Sequence, residues 1–321
     1  MKKKSTIILA ISLTFGSIAI LYGVDIPGHN MLWREIGNAG HIVLFGIISI
    51  ALLLLSRTIL GNRFSLPITH YGISFILSSG LGFITEFLQC FTPRDADFWD
   101  IVRDMIGATV SLGILLLIER KQFPSFNMST IKKRLLLSFI IVIFLAGISP
   151  VLIWTGGFLY RSANQPTICS FESFADKLFY KVHHGDIEIV QSDVFFPESS
   201  GNHTAKLTLH PAKYPEFYFR EPFPDWSGYK AFTLSIYSPL DTAFMLSMRV
   251  EDVHHNGVYR DRFNTSLTIE PGINEIRINC QDIKNAPEVR SMDMTRIYTF
   301  SIFAVKLKET LLFYIDDITL Q

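Results

Sequence analysis

Five long apolar segments occupy the first half of the chain, and they constrain its fold more than any other feature of the sequence. They cover about residues 6–24, 39–56, 68–91, 98–118 and 135–154. A bilayer core of roughly 30 Å requires about 20 apolar residues per helix, so each segment predicts a membrane-spanning helix. The whole chain is 49% hydrophobic with a mean hydropathy of +0.30, which is too apolar for an ordinary soluble protein.

The first apolar segment follows three lysines, as the apolar part of a secretory signal peptide does. It is longer than a typical signal-peptide core, and no clear small-x-small cleavage site follows it. We therefore expect an uncleaved helix.

Basic residues near the helix ends predict the orientation of the helical half. Ten fall on one side of the membrane: Lys2, Lys3, Lys4, Arg57, Arg63, Arg120, Lys121, Lys132, Lys133 and Arg134. Four fall on the other side: Arg34, Arg94, Arg103 and Arg161. Because basic residues accumulate on the cytoplasmic side, this asymmetry predicts a cytoplasmic N-terminus. Five crossings then place the C-terminal half outside the cytoplasm.

The sequence pattern changes after Arg161, where long apolar runs stop and alternation with a period of two begins. Residues 231–237 and 274–280 are the clearest examples, and Gly, Pro, Asn and Asp separate the short runs. Many short strands without a convincing amphipathic helix predict an antiparallel β-sandwich. We therefore expect a transmembrane domain at residues 1–160 and an all-β domain at residues 163–321, joined by a short linker.

Three stretches of the second half resemble the galactose-binding-like jelly rolls of carbohydrate-binding modules. They are Phe171 with Glu172, the Asp-Trp-Ser-Gly-Tyr sequence of residues 225–229, and the closing residues 312–320. The resemblance implies a jelly-roll sandwich and, as a cofactor, a structural calcium between the first and last strands. Its ligands would be Glu172 with Asp316 or Asp317, because calcium prefers carboxylate oxygens. The alternative is that these acids are solvated at strand ends.

Residues 249–264 form the most polar and aromatic stretch of the predicted sandwich. Sugars are bound by flat aromatic faces together with planar hydrogen-bonding groups, and this stretch contains both. The candidate glycan-binding residues are Arg249, Asp252, Tyr259, Arg262 and Phe263. The alternative is a hairpin whose charges pair with one another at the surface.

Two of the three cysteines, Cys169 and Cys280, fall in the predicted sandwich. Both are expected on strands, at inward-facing positions, where a disulfide would persist outside the cytoplasm. Two buried free thiols fit the same positions equally well.

Polar residues interrupt the apolar helices near the predicted hairpin between the third and fourth segments. The candidate ligand-binding residues are His41, Glu86, Gln89, Arg94, Asp100 and Asp104. Glu86 and Gln89 share a face of the third helix, and Asp100 and Asp104 share a face of the fourth. An acid at membrane depth is costly unless it is paired or faces a wet cavity. The set predicts a pocket open to the outer leaflet, or an internal network in which arginines neutralise the acids.

These residues resemble the pattern of the VanZ-like family, across about residues 36–118. The matching positions are His41 with Phe45, the Glu-x-x-Gln of residues 86–89, the Thr-Pro-Arg of residues 92–94 where the family has Pro-x-Arg, Asp100, Asp104 and Gly107. In Pro-x-Arg the match is partial, because Arg94 directly follows Pro93; Asp104 also replaces a more usual asparagine. The family implies a small bacterial integral membrane protein linked to glycopeptide-antibiotic response, and no established reaction. We therefore expect a bacterial cytoplasmic-membrane protein.

Three classes of function are compatible with this organisation. The first is a non-enzymatic envelope protein whose polar cluster engages a lipid headgroup or lipid-linked glycan and whose jelly roll binds envelope polysaccharide. The alternative is a membrane enzyme acting on a polyprenyl-phosphate-linked substrate, with His41 and the acids binding a divalent metal or serving as acid and base. No hydrolase or phosphate-loop motif supports catalysis. A transporter is disfavoured because no repeat is visible. The 29 basic and 29 acidic residues balance, so nucleic acid is not an expected partner.

Overall fold

The computed structural model describes residues 3–24, 30–63, 67–91, 97–119, 129–192, 195–196 and 201–321. It divides into two compact units, Met1–Trp154 and Thr155–Gln321. The first unit is helical, and the second holds all the β-strands of the described residues.

Five long helices carry the apolar segments. They are α1 (Lys3–Gly23), α2 (Met31–Leu60), α3 (Ile68–Gln89), α4 (Phe98–Glu119) and α5 (Thr130–Ala163). Each is long and apolar enough to cross a membrane. The prediction of a helical half with about five candidate spans is therefore confirmed.

Two of the helices extend beyond their apolar segments. The Asn30 side chain accepts a hydrogen bond from the Trp33 backbone N–H at 3.0 Å, which caps α2 and makes it begin at Met31. His41 therefore lies ten residues inside α2, about 15 Å along its axis, and not at a helix start as expected. Helix α5 continues to Ala163, so the first two residues of the predicted linker, which covers residues 162–166, are helical.

Small residues let α2 and α4 approach closely. A Cβ atom on Gly107 would collide with the backbone carbonyl of Ile42, and one on Gly46 would collide with the Ser111 side chain. Such contacts let membrane helices pack backbone to backbone. Because Ile42 follows His41, this contact sets the distance between His41 and the acids of α4.

The second unit is a sandwich of two antiparallel sheets. Its strands are β1 (Thr167–Cys169), β2 (Tyr180–His183), β3 (Gly185–Gln191), β4 (His203–Leu209), β5 (Glu216–Arg220), β6 (Ala231–Ser238), β7 (Phe244–Asp252), β8 (Phe263–Ile269), β9 (Gly272–Asn279), β10 (Ile297–Phe303) and β11 (Leu311–Leu320). One sheet has the order β3-β4-β11-β6-β9, with β1 paired to β11. The other has the order β2-β5-β10-β7-β8. The predicted fold class, a helical domain followed by a jelly-roll sandwich, is therefore confirmed.

Aromatic rings fill the space between the two sheets. Phe219 stacks on Phe300 with ring centroids 5.1 Å apart, and Phe232 meets Phe300 edge-on at 5.1 Å. Trp226, from the Asp-Trp-Ser-Gly-Tyr sequence, is fully buried and stacks on Phe232. Its indole N–H donates to the Phe223 carbonyl at 2.6 Å, so the buried polar atom is satisfied.

The structure differs from the sequence prediction at two places in the sandwich, and it chooses between the two alternatives for the cysteines. Phe171 lies just after β1, with a φ of 60°, and not on an opening strand. Cys280 begins a short helix, α6 (Cys280–Asn285), because the Asn279 side chain caps it. Cys169 and Cys280 are both buried free thiols.

Candidate functional site

The outward face of the five-stranded sheet carries a set of polar side chains. Residues of β7 alternate, so that Met248 and Val250 enter the core while Ser247 and Arg249 face outward. The strand register places Arg249 opposite Asn264 of β8. Strands β7 and β8 therefore present one continuous polar surface.

A groove of about 860 Å³ runs across this surface. Its lining residues are Tyr214, Glu216, Ser247, Met248, Arg249, Tyr259, Arg262, Asn264, Thr265, Ser266, Phe303 and Val305. The lining combines exposed rings with charged and amide groups, which is the combination that recognises polar ligands with apolar faces.

Ion pairs hold the polar side chains of the groove in place. Arg249 donates to Glu216 at 2.8 Å, and Arg262 donates to Glu251 at 2.8 Å. Arg262 also donates from Nε to the Asn264 Oδ1 at 3.1 Å. Because each guanidinium is fixed on one side by a carboxylate or amide, its remaining N–H groups have a defined direction.

Aromatic rings flank these polar groups. Tyr259 is 67% exposed and Tyr214 is 50% exposed, so both rings are accessible to a ligand. The Arg262 guanidinium lies 5.5 Å from the centre of the Tyr259 ring, and that of Arg249 lies 5.7 Å from the Phe303 ring. These cation–π contacts orient the rings along the groove.

Two of the five predicted glycan-binding residues do not line the groove. Phe263 is buried in the core, opposite Val250. Asp252 is also buried, and the Arg290 guanidinium donates to both of its oxygens at 2.5 and 2.7 Å. Burial alone would raise the pKa of Asp252, but the hydrogen bonds from Arg290 and the Asp293 backbone N–H hold this pKa below its ordinary value. The structure thus assigns both residues to the interior, and Arg249, Tyr259 and Arg262 to the groove.

Nine of the twelve groove residues were not singled out from the sequence, among them Tyr214, Glu216 and Phe303. These three come from the approach to β5, from β5 and from β10, 43 to 45 residues from Tyr259 in sequence. The alternation of β5 contains the signal, since Phe217 and Phe219 point inward and Glu216 therefore points outward. Only the pairing of β5 with β10 shows that it joins the groove.

The acids expected to bind calcium occupy different environments. The Glu172 Oε1 accepts from the backbone N–H groups of Asn202 and His203 at 2.6 Å each, and its other oxygen contacts the His203 ring at 2.9 Å. Asp316 is fully buried and accepts from the Asp317 backbone N–H at 2.8 Å. Structural calcium remains a prediction here.

Four of the polar residues of the helical half converge. The His41 Nδ1 lies 2.9 Å from the Asp104 Oδ1, and its Nε2 lies 3.5 Å from the Asp100 Oδ2. Ligand atoms of His41, Glu86 and Asp100 all lie within 4.8 Å of one another. All four side chains are buried. We call His41, Glu86, Asp100 and Asp104 the polar cluster.

Neighbouring residues support the polar cluster. The Gln89 amide donates to the Glu86 Oε1 at 3.0 Å. Arg103 donates to the Asp100 Oδ1 at 2.5 Å and lies 3.8 Å from Glu35, a residue that sequence reasoning missed. Arg94, the sixth predicted ligand-binding residue, lies outside the described residues.

Comparison with known proteins finds similarity at the level of solved structures alone. No family model matches the chain. No curated protein matches it. A family 11 carbohydrate-binding module from Clostridium thermocellum, solved with a β-1,3-1,4-mixed-linked tetrasaccharide, is 16% identical, with 48% of this chain and 94% of that chain covered and a TM-score of 0.38.

Two further structures give comparable values. A carbohydrate-binding module specific for non-crystalline cellulose is 16% identical over 49% of this chain and 93% of that chain, with a TM-score of 0.33. An exo-β-agarase is 14% identical over 49% of this chain and 25% of that chain, with a TM-score of 0.40. The sandwich assignment of this chain itself comes from its strand pairing.

Proposed function

We propose that the β-sandwich binds a glycan in the groove and that the helical half anchors it to a membrane. The observation that carries this proposal is that the groove combines the exposed Tyr259 ring, paired with Arg262, and the Phe303 ring, paired with Arg249. A sugar ring offers an apolar face to an aromatic ring and hydroxyl groups to planar donors and acceptors. One carbohydrate-binding module described above was solved with a tetrasaccharide.

Replacement of Tyr259 by Ala tests this proposal. The variant should weaken retention of the full chain on envelope polysaccharide in affinity electrophoresis about tenfold, which corresponds to about 1.4 kcal/mol. Phe174→Ala is the matched control, because Phe174 is 77% exposed and does not line the groove. Equal retention of wild type and both variants would refute binding in the groove, and so would a wild type that no polysaccharide retains.

We propose that the protein lies in a bacterial cytoplasmic membrane, with its sandwich outside the cytoplasm. The ten-to-four asymmetry of basic residues supports this location. Envelope polysaccharide and lipid-linked glycan are then the available ligands. The VanZ-like pattern agrees with this location. A role in glycopeptide-antibiotic response follows from that resemblance alone.

We also propose that the polar cluster engages a lipid headgroup or a lipid-linked glycan. The supporting observation is that three acids and a histidine are buried together near the end of α3 and the start of α4. Buried ionisable groups in a membrane helix bundle typically face a ligand or a wet cavity. Lipid that copurifies with wild type and is lost from His41→Ala, identified by mass spectrometry, would support this role. Identical lipid content in both would count against it.

A further inference from the structure

The two ring nitrogens of His41 face different carboxylates. The Nδ1 lies 2.9 Å from the Asp104 Oδ1, and the Nε2 lies 3.5 Å from the Asp100 Oδ2. If Asp104 accepts the Nδ1 proton, the Nε2 lone pair points toward Asp100. A carboxylate that fixes the tautomer of a histidine in this way is the usual support of a metal-binding imidazole.

The spacing of the ligand atoms matches the size of a metal ion. Two ligands at about 2.1 Å from a tetrahedral ion lie about 3.4 Å apart. The His41 Nε2 and the Asp100 Oδ2 are 3.5 Å apart. One ligand atom each of His41, Glu86 and Asp100 also lie within 4.8 Å of one another. Arg103 bonds the other Asp100 oxygen, so the Oδ2 stays directed at His41.

Acids outnumber basic side chains around the polar cluster among the described residues. Arg103 contacts Glu35, Asp97 and Asp100. Among the same residues, Glu86 and Asp104 form no ion pair with an arginine or lysine, and Asp104 contacts His41 instead. The Asp104 Oδ2 is buried and has no hydrogen-bond partner among the described residues. It faces Gly82, which lies one turn before Glu86 on the same side of α3. Uncompensated acids are costly in a membrane, and a divalent cation removes most of that cost.

We propose that His41, Glu86 and Asp100 bind a divalent transition-metal ion of the zinc or manganese class, with Asp104 as the residue that positions His41. An imidazole nitrogen favours such ions over magnesium and calcium, which prefer all-oxygen sites. Three protein ligands leave a coordination position for water or an anionic group. The proposal does not rest on glycan binding by the sandwich, and it is measured independently of copurified lipid.

The test uses the full chain in detergent, stripped with a chelator and then titrated with Zn²⁺ or Mn²⁺ alone. After desalting, mass spectrometry of the metal should find one ion per wild-type chain. His41→Ala and Asp100→Asn should abolish retention, and Asp104→Asn should weaken affinity about 10- to 100-fold.

Glu119→Gln is the matched control for Glu86→Gln. The Glu119 carboxylate lies at the end of α4, outside the polar cluster, where Arg57 and Tyr71 donate to it at 2.6 and 2.7 Å. The control should keep one ion per chain, and Glu86→Gln should lose it. Equal retention by both variants and wild type would overturn the assignment.

A measurement on the wild type alone keeps the proposal testable if the variants fail to fold. Bound metal should raise the melting temperature of the stripped protein in proportion to the logarithm of its concentration. Bound Co²⁺ should give visible absorption bands that Zn²⁺ displaces. A wild type that retains no metal, and melts at the same temperature with and without it, would refute the site and leave a purely structural network.

Discussion

Arg290 fixes the segment that carries Tyr259, although it does not line the groove. Its guanidinium donates to Asp252 at 2.5 Å and to Asp261 at 2.6 Å, and Asp261 lies two residues after Tyr259. These hydrogen bonds lower the pKa of Asp261 and raise that of Arg290. The rim of the groove therefore depends on a buried ion pair beside it.

Arg290→Ala should lower the free energy of unfolding of the sandwich by about 3 kcal/mol, because it leaves the buried Asp252 unpaired. Arg260→Ala is the matched control, since its ion pair with Glu288 is exposed and should contribute less than about 1 kcal/mol. Denaturant unfolding of both variants measures the difference. Similar losses in the two variants would show that Arg290 has no special role.

Asp176 predicts a pH dependence of stability. Burial raises its pKa to about 6, although backbone N–H groups of Ser173 and Phe171 oppose the shift. In the unfolded chain the pKa is near 3.9, so the folded state binds more protons between these values. The contribution of Asp176 to stability is therefore present below about pH 4 and declines as the pH rises through 6.

Asp176→Asn should remove this decline, which amounts to at most about 3 kcal/mol, and be more stable than wild type at pH 7. Asp225→Asn serves as the control, because hydrogen bonds from Ser227 lower the pKa of this exposed acid and give the opposite sign. Thermal melts from pH 4 to pH 7 test both. A decline of equal size in wild type and Asp176→Asn would contradict the assignment.

For single residues, the sequence predicts which polar side chains are important better than it predicts where they point and which partners they contact. Strict alternation from Leu246 places Asp252 inward, so its burial was readable from β7 alone. Its partner Arg290 lies 38 residues away in a segment without repetitive structure, and no local pattern indicates that pairing. Likewise, His41 and the acids of α4 are brought together by helix packing that periodicity does not specify.

The closest contact between helices α2 and α4 is built on Gly107. We predict that Gly107→Ala separates the helices, lowers the stability of the helical half by about 1–3 kcal/mol and weakens metal retention. Gly72→Ala is the control: a Cβ there meets nothing, so greater helix propensity should leave stability equal or up to about 1 kcal/mol higher. Thermal unfolding in detergent distinguishes them. A stable Gly107→Ala protein would mean that the helices can adjust.

Strands with one clearly buried face were predictable, and the edge strands β2 and β3 were not. Residues 216–220 and 244–250 alternate clearly, and the structure places β5 and β7 there. The missed strands β2 and β3 lie at the edges of their sheets, and β3 has no fully buried residue to mark its inner face. Strand β9 is also at a sheet edge, yet its residues 274–280 alternate clearly, so the buried face and not the position in the sheet makes a strand predictable.

The whole molecule combines five candidate spans with one sandwich, and its orientation is a sequence prediction. A phosphatase fused after Gln321 should be active outside the cytoplasm, whereas one fused after Arg120 should be silent. This follows from the ten-to-four distribution of basic residues. The reverse pattern of activity would remove envelope glycans as available ligands.

Hydrogen exchange of the full chain, with and without a polysaccharide that it retains, tests the central claim most directly. If the groove binds glycan, protection of the backbone amides from exchange should increase in Tyr259–Asp261, in β8 and in β7, whose alternate side chains face the groove. Strand β9, at the edge of the opposite sheet, should be unchanged. Protection confined to the six-stranded sheet, or no change in either sheet, would contradict glycan binding in the groove.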